Sequence, residues 1–258
     1  MPAPPAHAAV SWRNVSKVYP DGHEALCDAT LDVANGEVLA ILGTSGSGKT
    51  TLLKTVNRLI DPTSGEVLVR GRSTKDWEPI ALRRSIGYVI QEVGLLPHLS
   101  VIENVGIVPR LLGTPRTDWE PRGNELLSLV GLEPAKHASR RPRELSGGQR
   151  QRVGVARALA ADPDLILMDE PFGALDPITR RELQNEFRTL QKRLGKTVIV
   201  VTHDIREAFR IADRLALMDR GRLVQVGSAS ELRDNPASKF VRAFLAEAGA
   251  VEVEHATR

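Results

Sequence analysis

One cysteine, Cys27, occurs in 258 residues. That excludes an intrachain disulfide or a cysteine-based metal cluster and fits a reducing compartment. Cys27 itself reads as a small packing residue. No stretch approaches the roughly eighteen apolar residues of a membrane-spanning helix, so work at a membrane would mean docking on membrane subunits. Charge of one sign is also scarce. Lys and Arg total 35 against 32 Asp and Glu, for a net +3. The basic residues are scattered, which argues against nucleic-acid binding. Their one local cluster, Arg140-Arg141-Pro142-Arg143, reads as a cap or ion-pair partner of a helical region. The start lacks a basic n-region and an apolar h-region, so a signal peptide is not expected. Residues 1–9 read as a disordered lead, and no repeat of about twenty to fifty residues is present.

What is present begins with Gly43-Thr44-Ser45-Gly46-Ser47-Gly48-Lys49-Thr50. An apolar run, 38–42, precedes it, and Thr51-Leu52-Leu53-Lys54 follows. The order is strand, glycine-rich loop, helix start. Glycines permit the positive φ that lets backbone N–H groups wrap a polyphosphate. The helix start adds unpaired N–H groups and a positive dipole end. In such a loop Lys49 reaches the β/γ-phosphates and Thr50 places a hydroxyl on Mg²⁺. The alternative is a Gly/Ser turn without a ligand. In this context the eight residues predict binding of ATP or GTP.

Runs 10–18, 26–33 and 67–69 are β-prone, separated by Pro20-Asp21-Gly22, Asn35-Gly36 and Thr63-Ser64-Gly65. Runs 38–42, 165–168 and 198–201 are continuously apolar, as in buried parallel strands, and 86–90 is a fourth candidate. Strands alternating with helical stretches predict an α/β layered sheet. Between 97 and 143, six prolines and a leucine-rich piece at 124–130 predict a mostly helical insertion. After Arg206 the pattern predicts a helix, a hairpin turning at Asp219-Arg220-Gly221, and a last helix near 238–246. A frayed tail is expected over 247–258.

The run 165–168 ends in Asp169-Glu170. Ligands bind at the carboxyl ends of strands in open α/β sheets. Asp169 can hold the Mg²⁺ shell, and Glu170 can take a proton from an attacking water. Read alone, the pair can instead be a surface cap of the next turn. Leu145-Ser146-Gly147-Gly148-Gln149 precedes a helix with Val153, Ala156 and Ala160 on one face. Serine and glycines before a helix make a second anion site. The first nucleotide already has its own loop, so the second site suggests a second subunit.

The P-loop, LSGGQ, LILMDE, Ala174-Leu175-Asp176 and His203, in this order, resemble the ATPase subunit of an ABC transporter over roughly residues 10–246. The resemblance implies an α/β fold of the P-loop NTPase, ABC ATPase type, with an antiparallel β subdomain and a helical subdomain at about 92–150. It implies ATP and Mg²⁺ as cofactors. Tyr19 then lies against the adenine face, although read alone it is a sheet-packing residue. Gln91 contacts Mg²⁺ and senses the γ-phosphate, Asp176 communicates across a dimer, and His203 binds the γ-phosphate. Two such subunits close head to tail, with each ATP between 43–51 of one and 146–149 of the other.

The segment 83–105, with 104–113 after it, resembles the glycine betaine/choline (quaternary amine, osmoprotectant) uptake group. This implies integral membrane permease subunits, an extracytoplasmic solute-binding protein, and a peripheral place on the cytoplasmic face of the cell membrane, without nucleic acid. Leu95, Leu96 and Leu99 either face the permease or fill the insertion's own core. Many ATPases of that group carry a C-terminal pair of CBS domains; this chain ends at Arg258, so gating through that device is not expected. Two other classes stay open: the ATPase of an efflux or lipoprotein-release system, and a soluble ATP-driven clamp.

Overall fold

The computed structural model describes residues 8–91, 93–173 and 175–247. Most of the expected lead, nearly all of the expected tail, and Glu92 and Ala174 lie outside the described residues. The elements in chain order are β1 (Ala8–Val18), β2 (Glu24–Ala34), β3 (Val38–Gly43), α1 (Lys49–Val56), β4 (Ser64–Val69), β5 (Arg72–Ser73), α2 (Pro79–Arg84) and β6 (Ile86–Val89). Then come α3 (Val101–Val105), α4 (Ile107–Leu111), α5 (Arg116–Leu129), α6 (Pro134–His137), α7 (Gly147–Leu159), β7 (Leu165–Asp169) and α8 (Pro177–Leu194). The chain closes with β8 (Thr197–Val201), α9 (Ile205–Ile211), β9 (Arg214–Asp219), β10 (Arg222–Gly227), α10 (Ala229–Asp234) and α11 (Lys239–Glu247). These residues form two compact units. One holds the described residues up to Asp76 and from Ile199 onward; the other is Trp77–Val198.

The first unit contains an antiparallel sheet in the order β2-β1-β4-β5. Trp12 of β1 is fully buried, and its indole N–H donates to Thr55 Oγ1 of α1 at 2.9 Å, which satisfies the one polar group of a large apolar side chain. The same unit pairs β3 in parallel with β9, and β9 antiparallel with β10. Every residue of β3 is buried, which is why its sequence is unbroken in apolar character. Register is pinned at its start, where Val38 N–H donates to Asp213 Oδ2 and Arg214 pairs with the buried Glu37 at 3.0 Å. Cys27 of β2 is 8% exposed, and its N–H donates to Gly221 O in the β9–β10 turn. Burial, with a hydrogen bond to Glu24, pushes its thiol above the ordinary range.

The second unit pairs β6 in parallel with β7, from Ile86 opposite Leu165 to Val89 opposite Met168. The helices α3, α5 and α7 pack together beside them. The described part of the insertion is helical, as the prolines and leucines suggest, and α7 carries the helical run on to Leu159. Val153 and Ala156 are buried as expected; Ala160 is the half-buried C-cap.

Five differences from the expectations stand out. Ala8 and Ala9 are strand, not lead, because Ala8 pairs with Ala34 and Ala9 O accepts from Arg70 N–H. Glu247 closes α11 instead of opening the tail. Three further helices, α2, α8 and α10, lie outside the expected elements. α8 is dense in charge, and its core contact narrows to Leu183, Phe187 and Leu190.

Candidate functional site

The expected site residues fall into groups, each built within one unit. In the first unit, residues 44–48 join β3 to α1. Gly43 has φ 149°, and a Cβ there would lie 2.2 Å from Met218 O. Gly48 has φ 97°, and a Cβ would lie 2.3 Å from Ala25 O. Both obstacles are backbone, so both positions require glycine. Beneath the loop, Gly221 N–H donates to Ser47 O and Ser47 N–H to Thr44 O. Lys49 is 7% exposed, and its Nζ donates to Gly43 O and Thr44 O at 2.9 and 2.7 Å. These bonds turn loop carbonyls toward the ammonium. Ser45 and Gly46 form the exposed tip, and Thr50 and Thr51 occupy the first turn of α1. Ser47 Oγ is buried and has no protein partner.

His203 follows β8, and Thr202 N–H donates to Ile41 O of β3. That bond brings the exposed His203 to the strand end from which the loop departs. Asp204 caps α9 through Oδ1, accepting from Arg206 and Glu207 N–H groups. Tyr19 stands in the β1–β2 turn, half-buried, with the His23 ring stacked at 6.3 Å and Lys17 Nζ 5.4 Å from its centroid. It does not pack inside the sheet, which is what its reading as a base-stacking face requires. His23 and Lys17 were not legible as its companions, since nothing in a β-prone run distinguishes them.

In the second unit the parallel register of β6 and β7 aligns their carboxyl ends. Gln91 therefore leaves β6 where Asp169 and Glu170 leave β7. Asp169 is 3% exposed. Burial and then the Asp169 carboxylate push the Tyr88 phenol well above its ordinary range. Glu170 has φ 47°, uncommon for a non-glycine residue, at the point where the chain turns out of β7. Gln151 of α7 donates to Pro171 O and fixes the chain after that turn.

Ser146 is the N-cap of α7. Its Oγ accepts from Gln149 N–H at 3.2 Å, and Gln149 Oε1 accepts from Ser146 N–H at 3.0 Å. This is a capping box. Because Oγ serves as acceptor there, the Ser146 hydroxyl proton is available to donate. A Cβ on Gly148 would meet Leu175 Cδ2 at 3.1 Å and Thr179 Cγ2 at 3.6 Å, so Gly148 lies against the start of α8. Asp176 caps α8, accepting from Ile178 and Thr179 N–H groups, and these bonds hold its carboxyl below the ordinary range. Beside it Ile178 is 74% exposed.

The profile described as ABC transporter matches residues 26–173. The chain belongs to the ABC transporter family. Among curated members of that family, it is 52% identical to the glycine betaine/carnitine/choline transport ATP-binding protein OpuCA of Bacillus subtilis (strain 168) over 231 residues, which is 90% of this chain and 60% of the relative. It is 50% identical to the choline transport ATP-binding protein OpuBA of the same organism, covering 92% of this chain and 62% of the relative. The chain thus spans about 60% of the length of these relatives. Among solved ABC structures, the dimeric post-hydrolysis state of the ATP-binding cassette MJ0796 bound to ADP and Pi superposes with a TM-score of 0.76 at 37% identity. It covers 85% of this chain and 98% of that one. The fold is accordingly the P-loop ABC ATPase fold.

Among the described residues no helix is long and apolar enough to cross a membrane. Exposed apolar side chains do occur in the helical part of the second unit. Leu96 is 37% exposed, Leu111 and Leu112 more so, while Leu95 and Leu99 are half-buried. Arg141 of the basic cluster both joins a cap with Glu144 and donates to His98 O, as expected of a structural cluster.

Proposed function

We propose that this chain is the ATP-hydrolysing subunit of an importer for quaternary amines of the glycine betaine, choline and carnitine type. The observation that carries the reading is the half identity, over nine-tenths of the chain, to relatives named for transport of these solutes. Those names favour uptake over efflux or lipoprotein release. The clamp reading has no support among them.

The residues fit the nucleotide and its metal. Gly43 and Gly48 leave no room for side chains along the loop, and Lys49 is a fixed cation behind it. Thr50, Gln91 and Asp169 can each offer an oxygen, the donor type that Mg²⁺ takes alongside phosphate and water. Among the described residues no group of three or more His, Cys, Asp or Glu could hold a metal ion. ATP supplies the bond to be cleaved, and Mg²⁺ the positive charge on it. The N–H groups of 43–51 and Lys49 bind and orient the phosphates. Tyr19 stacks on the base, a contact worth about 1–3 kcal/mol. Glu170 takes the proton of the attacking water, and His203 and Gln91 contact the γ-phosphate end.

Ser146, Gly147, Gly148 and Gln149 read the nucleotide of a second copy, and Asp176 and Ile178 flank the start of α8 that Gly148 approaches. The exposed Leu96, Leu111 and Leu112 support docking on a membrane permease at the cytoplasmic face. An extracytoplasmic binding protein delivers the solute. The test is uptake of labelled glycine betaine, choline and carnitine in a strain lacking this gene, restored by the wild-type chain or by Glu170→Gln. Restoration by the wild type alone is expected. Uptake of all three unchanged by the deletion would overturn the substrate class, and full restoration by Glu170→Gln would overturn the role of hydrolysis.

A further inference from the structure

One side chain outside the capping box of α7 holds it. Gln149 Nε2 lies 3.4 Å from His137 Nε2. His137 closes α6, and its Nδ1 lies 2.9 Å from Glu133 O. A carbonyl only accepts, so Nδ1 carries the proton and Nε2 keeps its lone pair. At the other side of the amide, Ser146 N–H only donates. Gln149 Oε1 therefore faces it, at 3.0 Å, and the amide N–H turns to the imidazole. The bonds form one directed line: Ser146 N–H to Gln149 Oε1, Gln149 Nε2–H to His137 Nε2, His137 Nδ1–H to Glu133 O.

The ring is held in place. It is half-buried, and the link after α6 is pinned to α3, where Ile102 N–H donates to Ala138 O and Val101 N–H to Arg140 O. The elements around it carry charge that is engaged elsewhere or exposed. On α3, Glu103 accepts from Ser100 N–H. On α5, Arg116 pairs with Glu120 and Arg122 with Glu125, and Asp118 is exposed. On α6, Lys136 pairs with Glu133. In the link, Glu144 accepts from Arg141 N–H, the Arg141 side chain donates to His98 O, and Arg140 and Arg143 are exposed. On α7, Arg150 donates to Leu145 O and Arg152 pairs with Glu186. Among the described residues none of these groups bonds the imidazole, so Gln149 and Glu133 alone set its state.

A second proton on the ring breaks this line. Both nitrogens are then donors, and Nε2–H meets the amide N–H of Gln149. Turning the amide over restores that bond but sets its N–H against Ser146 N–H, which opens the box. Either way one bond is lost. We infer that His137 is a positioning residue for Ser146–Gln149 that acts only while neutral, so that a proton on α6 and the nucleotide of a second copy compete for the state of this helix end. The inference rests on the reading that Ser146–Gln149 meet that nucleotide. The competent form holds one proton fewer, so ATP-driven dimerisation weakens as pH falls. Histidine is the side chain that ordinarily changes charge between about pH 5 and 8, which puts the device in the physiological range.

The experiment measures Mg²⁺-ATP-driven dimerisation of the full Glu170→Gln chain by light scattering, from about pH 8 down to about pH 5.5, with and without His137→Gln. The substituted side chain still offers an acceptor oxygen to Gln149 and does not titrate. The other histidines and the nucleotide are common to both chains, so what His137 contributes is the difference between the two profiles. On acidification the ATP needed for half-dimerisation should rise about tenfold more in the chain that keeps His137, the worth of leaving one polar group unpaired. The two chains should agree at the alkaline end in ATP requirement, monomer ADP affinity and melting temperature. Proton–nitrogen NMR of the monomer there should show His137 as the Nδ1–H tautomer. If Glu170→Gln alone fails to dimerise with ATP at the alkaline end, the two-subunit reading is wrong and the inference falls with it. If it dimerises and the two profiles superpose, or His137 is the Nε2–H tautomer, the inference alone is wrong. A His137→Gln chain that melts lower and needs more ATP at every pH would make His137 purely structural and overturn the switch.

Discussion

α1 and α7 both begin beside glycines, yet their N-termini are completed in different ways. Gly48 caps α1 with φ 97° and without any side-chain bond. Ser146 caps α7 inside a reciprocal box with Gln149. The first turn of a helix carries N–H groups with no intrahelical partner. In α1 no N-cap side chain completes them, and the loop before them is held from below by Lys49, Gly221 and the close approach to Ala25 and Met218. In α7 the box settles two of the polar groups within the chain itself, so this end is formed before anything binds. The difference fits the two tasks proposed above, one end enclosing a nucleotide and the other presenting a finished surface to one held by a second copy.

Neither N-terminus supplies a base, so removing the base should spare both. Glu170→Gln should keep ATP binding while turnover falls about 10²–10⁴-fold. Retention of more than a tenth of the wild-type rate, measured as phosphate release, would move the role to another residue. The division of tasks can be broken directly by mixing Lys49→Ala with Gly148→Asp subunits. Each parent should be inactive and the mixture should regain turnover, because one composite site then carries both lesions and the other neither. No recovery would argue against two different ends meeting at one nucleotide.

A smaller effect sharpens the account of the enclosing loop. Gly48→Ala forces a Cβ against backbone and should cost more than about 2 kcal/mol and abolish ATP binding. Gly46→Ala, with φ 76° but nothing within 4 Å, should cost only about 1 kcal/mol. Thermal melts and titration with a fluorescent nucleotide would separate them; equal losses would mean that strain, not space, governs the loop. The smallest effect concerns the presenting end. Ser146→Ala removes the cap and should cost about 1 kcal/mol. Ser146→Asp keeps a capping oxygen but sets a negative charge toward phosphate. It should melt like the wild type and fail to dimerise with ATP. A dimerising Ser146→Asp chain would remove the phosphate-reading role.

Much of this was legible because each piece lies within a few consecutive residues. β3, β7 and β8 are buried from end to end, so their apolar runs announce them. The 43–50 loop and the Ser146–Gln149 capping box are local backbone geometries with local sequence causes. α8 escaped because its charged faces mask a narrow apolar stripe, although Asp176-Pro177 at its start and Gly195 past its end are ordinary helix signals. The packing of α7 against β6 and Val93-Gly94, with Arg157 bonded to both of those carbonyls, was not legible at all. Arg157 and Val93 lie 64 residues apart, and an arginine on a helix gives no sign of which distant carbonyls it will hold. Gly87 and Gly154 look like permissive residues in a strand and a helix; only the packing shows that each is an imprint of a neighbour.

Cys27 has a practical side. Alkylating reagents attack the thiolate, and this thiol is both shielded and shifted upward. A cysteine introduced at an exposed position such as His98 should therefore label first and nearly alone at neutral pH. Probes of docking on a membrane partner can be attached to the native background, with the packing between β2 and the β9–β10 turn left intact.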